Sequence, residues 1–158
     1  MANTQAMCTS FLGEVLTATH NFGTAPIRAA TTADTFKAAL YLTTATVNAA
    51  TTTYSATNEV SGTGYSPGGV TVTNATAPLA SNTSATAGTA YWTPSASITY
   101  TTVTLTTAFD TVLIYNSTQS NKSVSVHTFG SQTITAGTFT LTMPTNNTST
   151  ALLRIATT

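Results

Sequence analysis

At 158 residues and 16.2 kDa the chain has the length of one domain, and charged residues make up only 5% of it, against about 25% in an average soluble protein. They are Glu14, Arg28, Asp34, Lys37, Glu59, Asp110, Lys122 and Arg154, and they sum to zero. This excludes a basic surface for nucleic-acid phosphates and a polybasic or acidic run for membranes or charged partners.

Threonine fills the gap, with 42 residues beside 24 Ala, 14 Ser and 10 Asn. Leu, Ile, Val and Phe number 30, a level near that of disordered chains. Disorder of that kind also needs high net charge, which is absent. Threonine is β-branched and stiff at χ1, which favours strands. The composition therefore predicts a folded all-β domain whose modest core is filled partly by Thr methyl groups.

In chain order, the first predicted element is a helix from Ser10 to Phe22. Its apolar stripe is Phe11, Leu12, Val15, Leu16, Thr19 and Phe22. Thr9 or Ser10 caps it, Glu14 sits near the positive dipole end, His20 lies in the last turn and Gly23 suits C′. Residues 1–23 thus form an N-terminal arm and helix, and 24–158 a single β-sandwich domain.

Strands follow. Phe36–Leu42 alternates, with Phe36, Ala38, Leu40 and Leu42 on the face expected in the core, and Lys37, Ala39 and Tyr41 on the other. A Thr/Ala connection runs from Thr43 to Thr57, and Gly62, Gly64, Pro67, Gly68 and Gly69 punctuate a loop. Further strands are expected at Val70–Thr73, Thr89–Thr93, Ser97–Leu105, Thr111–Tyr115, Ser123–Phe129, Gln132–Thr135, Thr138–Met143 and Ala151–Ala156. Leu79–Gly88 is expected as a loop. Turns are expected at Asn116–Asn121, Gly130-Ser131, Ala136-Gly137 and Pro144–Asn147. Short strands at such spacing predict an antiparallel β-sandwich of jelly-roll type.

Chemistry is sparse. Cys8 is the single cysteine, so no disulfide forms within the chain. The first ten residues carry no Lys or Arg and no apolar run, so no secretory signal is expected. No stretch approaches the roughly 18 apolar residues of a spanning helix. Six Asn-x-Ser/Thr sequons follow from the abundance of Ser and Thr. The four acids share no motif, and Cys8, His20 and His127 have no metal-ligand spacing. Gly62-Thr63-Gly64 and Gly68-Gly69 lack the Lys of a phosphate loop and read as a strained β loop. Glu59 with Asn58 can cap that loop or bind a cation, and stabilising the loop through backbone N–H groups is the expected role. Tyr side chains and Trp92 are expected in the core. No catalytic, cofactor or metal residue is assigned, and the chain is read as non-enzymatic.

From Ala38 to Phe109 the one ionised side chain is Glu59. Edge strands normally carry charge against unwanted pairing. A sandwich without it must cover its edges with loops or bury them against partners, and poor colloidal stability of a bare neutral surface favours partners.

Phe36-Lys37-Ala38-Ala39-Leu40-Tyr41-Leu42, then Glu59-Val60-x-Gly62-x-Gly64-Tyr65-x-x-Gly68-Gly69, resembles small virion proteins of tailed bacteriophages. Phe109–Asn116 and Ile134–Leu141 look like the same family's second half. The resemblance implies a virion protein made in the host cytoplasm. It would act as a capsid cement or decoration protein that binds the major capsid protein and copies of itself, as a homo-oligomer without nucleic acid, membrane or cofactor. A tail, collar or adaptor component and a carbohydrate-binding receptor module using Tyr and Trp92 are the alternatives.

Overall fold

The computed structural model describes residues 3–8, 11, 15, 19–20, 22, 33–73, 78–81 and 88–156. Eight strands run through them: β1 (Ala6–Met7), β2 (Phe36–Leu42), β3 (Val70–Thr71), β4 (Leu79–Ser81), β5 (Thr89–Trp92), β6 (Ile98–Asn116), β7 (Lys122–Leu141) and β8 (Leu153–Ala156). They form a five-stranded sheet ordered β1-β7-β6-β2-β3 and a three-stranded sheet ordered β4-β5-β8. Every strand pair is antiparallel. The fold is therefore all-β and sandwich-like. The helix expected from Ser10 to Phe22 lies, apart from isolated positions, outside the described residues.

The centre of the large sheet follows from sequence. Thr111-Val112-Leu113-Ile114-Tyr115-Asn116 is buried at every position, as expected for a strand covered on both faces rather than one. It pairs with β2 from Phe36↔Asn116 to Leu42↔Phe109. On β2, Phe36, Ala38 and Leu40 are buried as expected and Leu42 is half-buried. Ala39 and Tyr41 on the opposite face are buried too, so the strand is internal on both sides. The loop that follows docks on the outer edge of the strand, where Val60 donates its N–H to Leu40 O at 3.0 Å. Trp92 at the end of β5 links the two sheets: its ring lies 4.7 Å from Phe22 and 6.1 Å from Phe36.

The second half departs from expectation. Instead of five short strands there are two long ones, β6 of 19 and β7 of 20 residues. The turns expected at Gly130-Ser131 and Ala136-Gly137 lie inside β7, and Thr106–Asp110 lies inside β6. These residues make bulges instead of reversals. Phe109↔Gln132 is followed by Thr111↔Thr128, which leaves extra residues on β7, and the register shifts again between Val103↔Gly137 and Leu105↔Ile134. Ala136 (φ 47°) and Thr102 (φ 54°) take left-handed backbone there, a conformation bulges use. Turn-forming residues signal a break in regular pairing, and a bulge breaks it as well as a turn does.

Elsewhere Leu79–Ser81, expected as loop, pairs with β5 as β4, and Ala6–Met7 adds a short strand beside β7. The turn expected at Asn116–Asn121 is present. Asn116 Oδ1 accepts the N–H groups of Thr118 and Gln119 at 3.1 and 3.2 Å, and Ser120 and Asn121 have φ near 53° and 59°.

Leu40 has no exposed surface. Leu40→Ala should lower the free energy of unfolding by about 2–5 kcal/mol, the range for truncating a packed leucine. Urea denaturation measures it, and a change too small to resolve would place β2 the wrong way out.

Candidate functional site

Glu59 is the one acid between β2 and Phe109, and the loop after it is built around its carboxylate. Oε1 accepts the Tyr65 hydroxyl at 2.6 Å and the Gly68 N–H at 2.8 Å. Oε2 accepts the Tyr54 hydroxyl at 2.6 Å. Tyr65 O–H in turn accepts the Leu40 N–H at 3.0 Å, so the phenol bridges carboxylate and sheet. Tyr115 donates to Gly68 O and Tyr100 to Ala38 O, both at 2.8 Å. The rings stack in pairs, Tyr54 on Tyr115 at 4.7 Å and Tyr65 on Tyr100 at 5.9 Å.

This arrangement ties residues 54–69 to β2 and β6. A partly buried carboxylate must be hydrogen-bonded to be tolerated, and here three donors meet it. The loop closes tightly on the sheet: a Cβ on Gly69, whose φ is +72°, would lie 1.6 Å from Ala38 O. Only glycine fits that contact. The Gly-rich segment is therefore a packed flap held by Glu59 through a backbone N–H, as its sequence suggests. The tyrosines that complete the hub were not legible from spacing, because two of the four interacting rings, Tyr100 and Tyr115, come from β6.

Burial pushes the hydroxyls of Tyr41, Tyr54, Tyr65 and Tyr100 well above the usual tyrosine range, and hydrogen bonding to Glu59 adds to this at Tyr54 and Tyr65. Burial first and the Glu59 charge second push Tyr115 up to about 12. These phenols stay protonated as donors.

The two histidines are placed apart. His20 is buried beside Phe11, with ring centroids 4.9 Å apart. Its Nδ1 lies 3.1 Å from Asn116 Nδ2, which also donates to Asp34 Oδ2 at 2.8 Å. Gln119 Nε2 donates to Asp34 Oδ1 at 3.2 Å. This second buried polar cluster ties the segments before β2 to the β6–β7 turn. His127 is half-buried on β7, with Nε2 2.9 Å from Ser125 Oγ. Burial lowers its pKa to about 4. With Arg154 it lines a cavity of about 420 Å³ between β1, β7 and β8.

Cys8 is fully buried. Among the described residues no group of three His, Cys, Asp or Glu stands together as a metal site. Trp92 is 2% exposed, which leaves no ring face free for stacking on a sugar.

Two outcomes follow from this geometry. Glu59→Ala strands the Tyr54 and Tyr65 hydroxyls and the Gly68 N–H, and should cost about 2–3 kcal/mol, the scale of hydrogen bonds to a charged group. Glu59→Gln, which keeps a carbonyl acceptor, should cost less in the same denaturation experiment.

The raised tyrosine pKa values also fix a sign. The unfolded chain loses phenolic protons above about pH 10 while the folded chain keeps them, so the unfolded state binds fewer protons and stability falls as pH rises past that point. Tyrosinate absorbance should then appear together with loss of β circular dichroism, in one cooperative step. Smooth titration of these tyrosines with the fold intact would show that the hub is open to solvent.

Comparison of the chain with protein-family models, with curated proteins and with solved structures gives no match.

Proposed function

We propose that the protein is a structural virion protein, a capsid cement or decoration protein that binds and stabilises a lattice of major capsid subunits and associates with its own copies. The observation that carries this reading is the placement of charge. Of the six charged residues described, Arg154 alone is exposed; Asp34 is buried, and Lys37, Glu59, Asp110 and Lys122 are half-buried. Glu59 and Asp34 are committed to internal hydrogen bonds. Most exposed positions among the described residues are Thr, Ser and Ala.

A surface of this kind suits close packing against neighbouring subunits, since interface cores are depleted of charge. It suits free life in solution poorly. The resemblance read in residues 36–42 and 59–69 to small tailed-phage virion proteins implies the same role. On this reading the sandwich is of jelly-roll type, with a short helix over Phe11–Phe22 in its N-terminal arm.

Attachment through methyl, backbone and aromatic contacts should be insensitive to salt, because few ion pairs exist to be screened. It should weaken in urea, which solvates apolar and peptide groups alike. Purified particles treated with graded salt and graded urea, then assayed for bound copies and heat resistance, test this. The expected result is retention in molar salt, release in urea, and earlier rupture of stripped particles whose lattice is otherwise intact. Release by salt would overturn the reading. Equal heat resistance with lost adsorption to cells would transfer the protein to the tail or receptor-binding apparatus.

A further inference from the structure

Arg154, the one exposed charge among the described residues, lines the cavity of about 420 Å³ between β1, β7 and β8. The topology accounts for its place. β1 is an edge of the five-stranded sheet and β8 an edge of the three-stranded one, so the cavity opens where the two sheets border each other. Ser125, Val126 and His127 of β7 line one side of it, residues 5–7 another and residues 150–154 a third. Small-molecule sites commonly have volumes of about 300–1,000 Å³ and a few convergent polar groups.

Three of the lining side chains carry polar atoms that no other described residue engages. The Gln5 amide makes no hydrogen bond, and the Arg154 guanidinium makes neither an ion pair nor a hydrogen bond. His127 uses only Nε2, which lies 2.9 Å from Ser125 Oγ, and leaves Nδ1 without a partner. Among the described residues no acid lines the cavity. His127 is neutral near physiological pH, since burial lowers its pKa to about 4. The cavity therefore presents one positive charge beside a neutral imidazole and an amide.

We infer that this cavity binds a small hydroxylated monocarboxylate, a ligand of the sugar-acid class. The planar fork of guanidinium N–H groups on Arg154 matches a carboxylate through two parallel hydrogen bonds. A single cation balances a single negative charge, whereas a phosphate dianion would be left half-compensated. In this arrangement the Ser125 hydroxyl donates to His127 Nε2, so the imidazole carries its hydrogen on Nδ1 and offers it to a ligand oxygen. The Gln5 amide both donates and accepts, which suits hydroxyl groups. The cavity is larger than a bare carboxylate needs, and these neutral polar groups read the rest of the ligand. Among the described residues no aromatic ring lines it, so hydrogen bonding rather than stacking holds the ligand. The site is separate from the Glu59 hub and does not depend on attachment to a capsid.

The test titrates the full chain with D-glucuronate, and with D-glucose and acetate, which lack the charge and the hydroxyls respectively. Calorimetry and the NMR signals of the His127 ring report binding. Glucuronate should bind in the millimolar range or tighter, shift the His127 signals, and bind at least tenfold more tightly than either control. Arg154→Gln and Gln5→Ala alter exposed side chains and should leave the circular dichroism unchanged. The first should weaken glucuronate binding at least tenfold and the second at least threefold. Arg154→Lys should fall between Arg154→Gln and the wild type, because it keeps the charge without the fork. Absence of glucuronate binding overturns the inference. So does equal binding of glucose or of acetate, a His127 ring that stays unmoved, or an affinity that Arg154→Gln leaves unchanged. None of these results touches the particle experiment, where capsid attachment stands or falls by salt and urea release.

Discussion

The pairing of β6 with β7 organises everything else in this molecule. It extends from Asn116↔Lys122 at the turn to Ile98↔Leu141 at the far end. The half next to the turn is buried between layers, and β2 docks on it through Phe36↔Asn116 to Leu42↔Phe109. The other half reaches past β2 and has the Gly-rich flap as its neighbour, where Thr63 bridges Thr104. A hairpin this long keeps contact order low near its turn and supplies a frame on which loops of non-local origin can close. The flap needs that frame, since Tyr115 donates to Gly68 O and Tyr100 stacks on Tyr65 from opposite halves of β6.

Threonine makes the long hairpin possible without a large core. Its branched Cβ favours extended backbone, and its hydroxyl satisfies solvent on the exposed face. On β6 and β7 the exposed positions are mostly Thr, including Thr99, Thr101, Thr106, Thr133 and Thr140. Apolar residues are concentrated where they count: Phe109 has no exposed surface and contacts Phe129 and Phe139 edge-on at 5.9 and 5.2 Å. Such T-shaped contacts add to area burial. The core is modest in residue number and dense in rings.

How much of this was legible in the sequence depends on the range of the interaction. β2 could be read residue by residue, because alternation is a local signal and Phe36–Leu42 carries it cleanly. The role of Glu59 was legible too, since a lone acid before a Gly-rich loop has few uses other than holding backbone N–H groups. The merging of short strands into β6 and β7 was not. Gly130 and Ala136 give the same local signal for a bulge as for a turn, and only the partner strand decides between them. The hub's tyrosines and the Asn116–Asp34–His20 cluster were also hidden. Tyr65 and Tyr100 meet only after β2 and β6 have paired, and Asn116 meets Asp34 across 82 positions of chain.

The placement of the few charges carries the last step. In most soluble proteins charge is spent outside, where it confers solubility and steers encounters. Here Glu59 and Asp34 instead gather donors from distant segments, so two of the four acids specify how loops close. A buried carboxylate with good partners discriminates against wrong closures more sharply than another apolar contact, because a mispaired charge is costly. The same choice leaves little charge on the described exterior to steer encounters. Encounters with a partner then proceed at the basal rate for neutral surfaces, and any lasting association must come from slow dissociation or from several contacts made at once. Multivalent attachment meets that requirement through effective concentration. Among the described charges, Asp34 and Glu59 thus act inside the fold, where they decide how distant segments close.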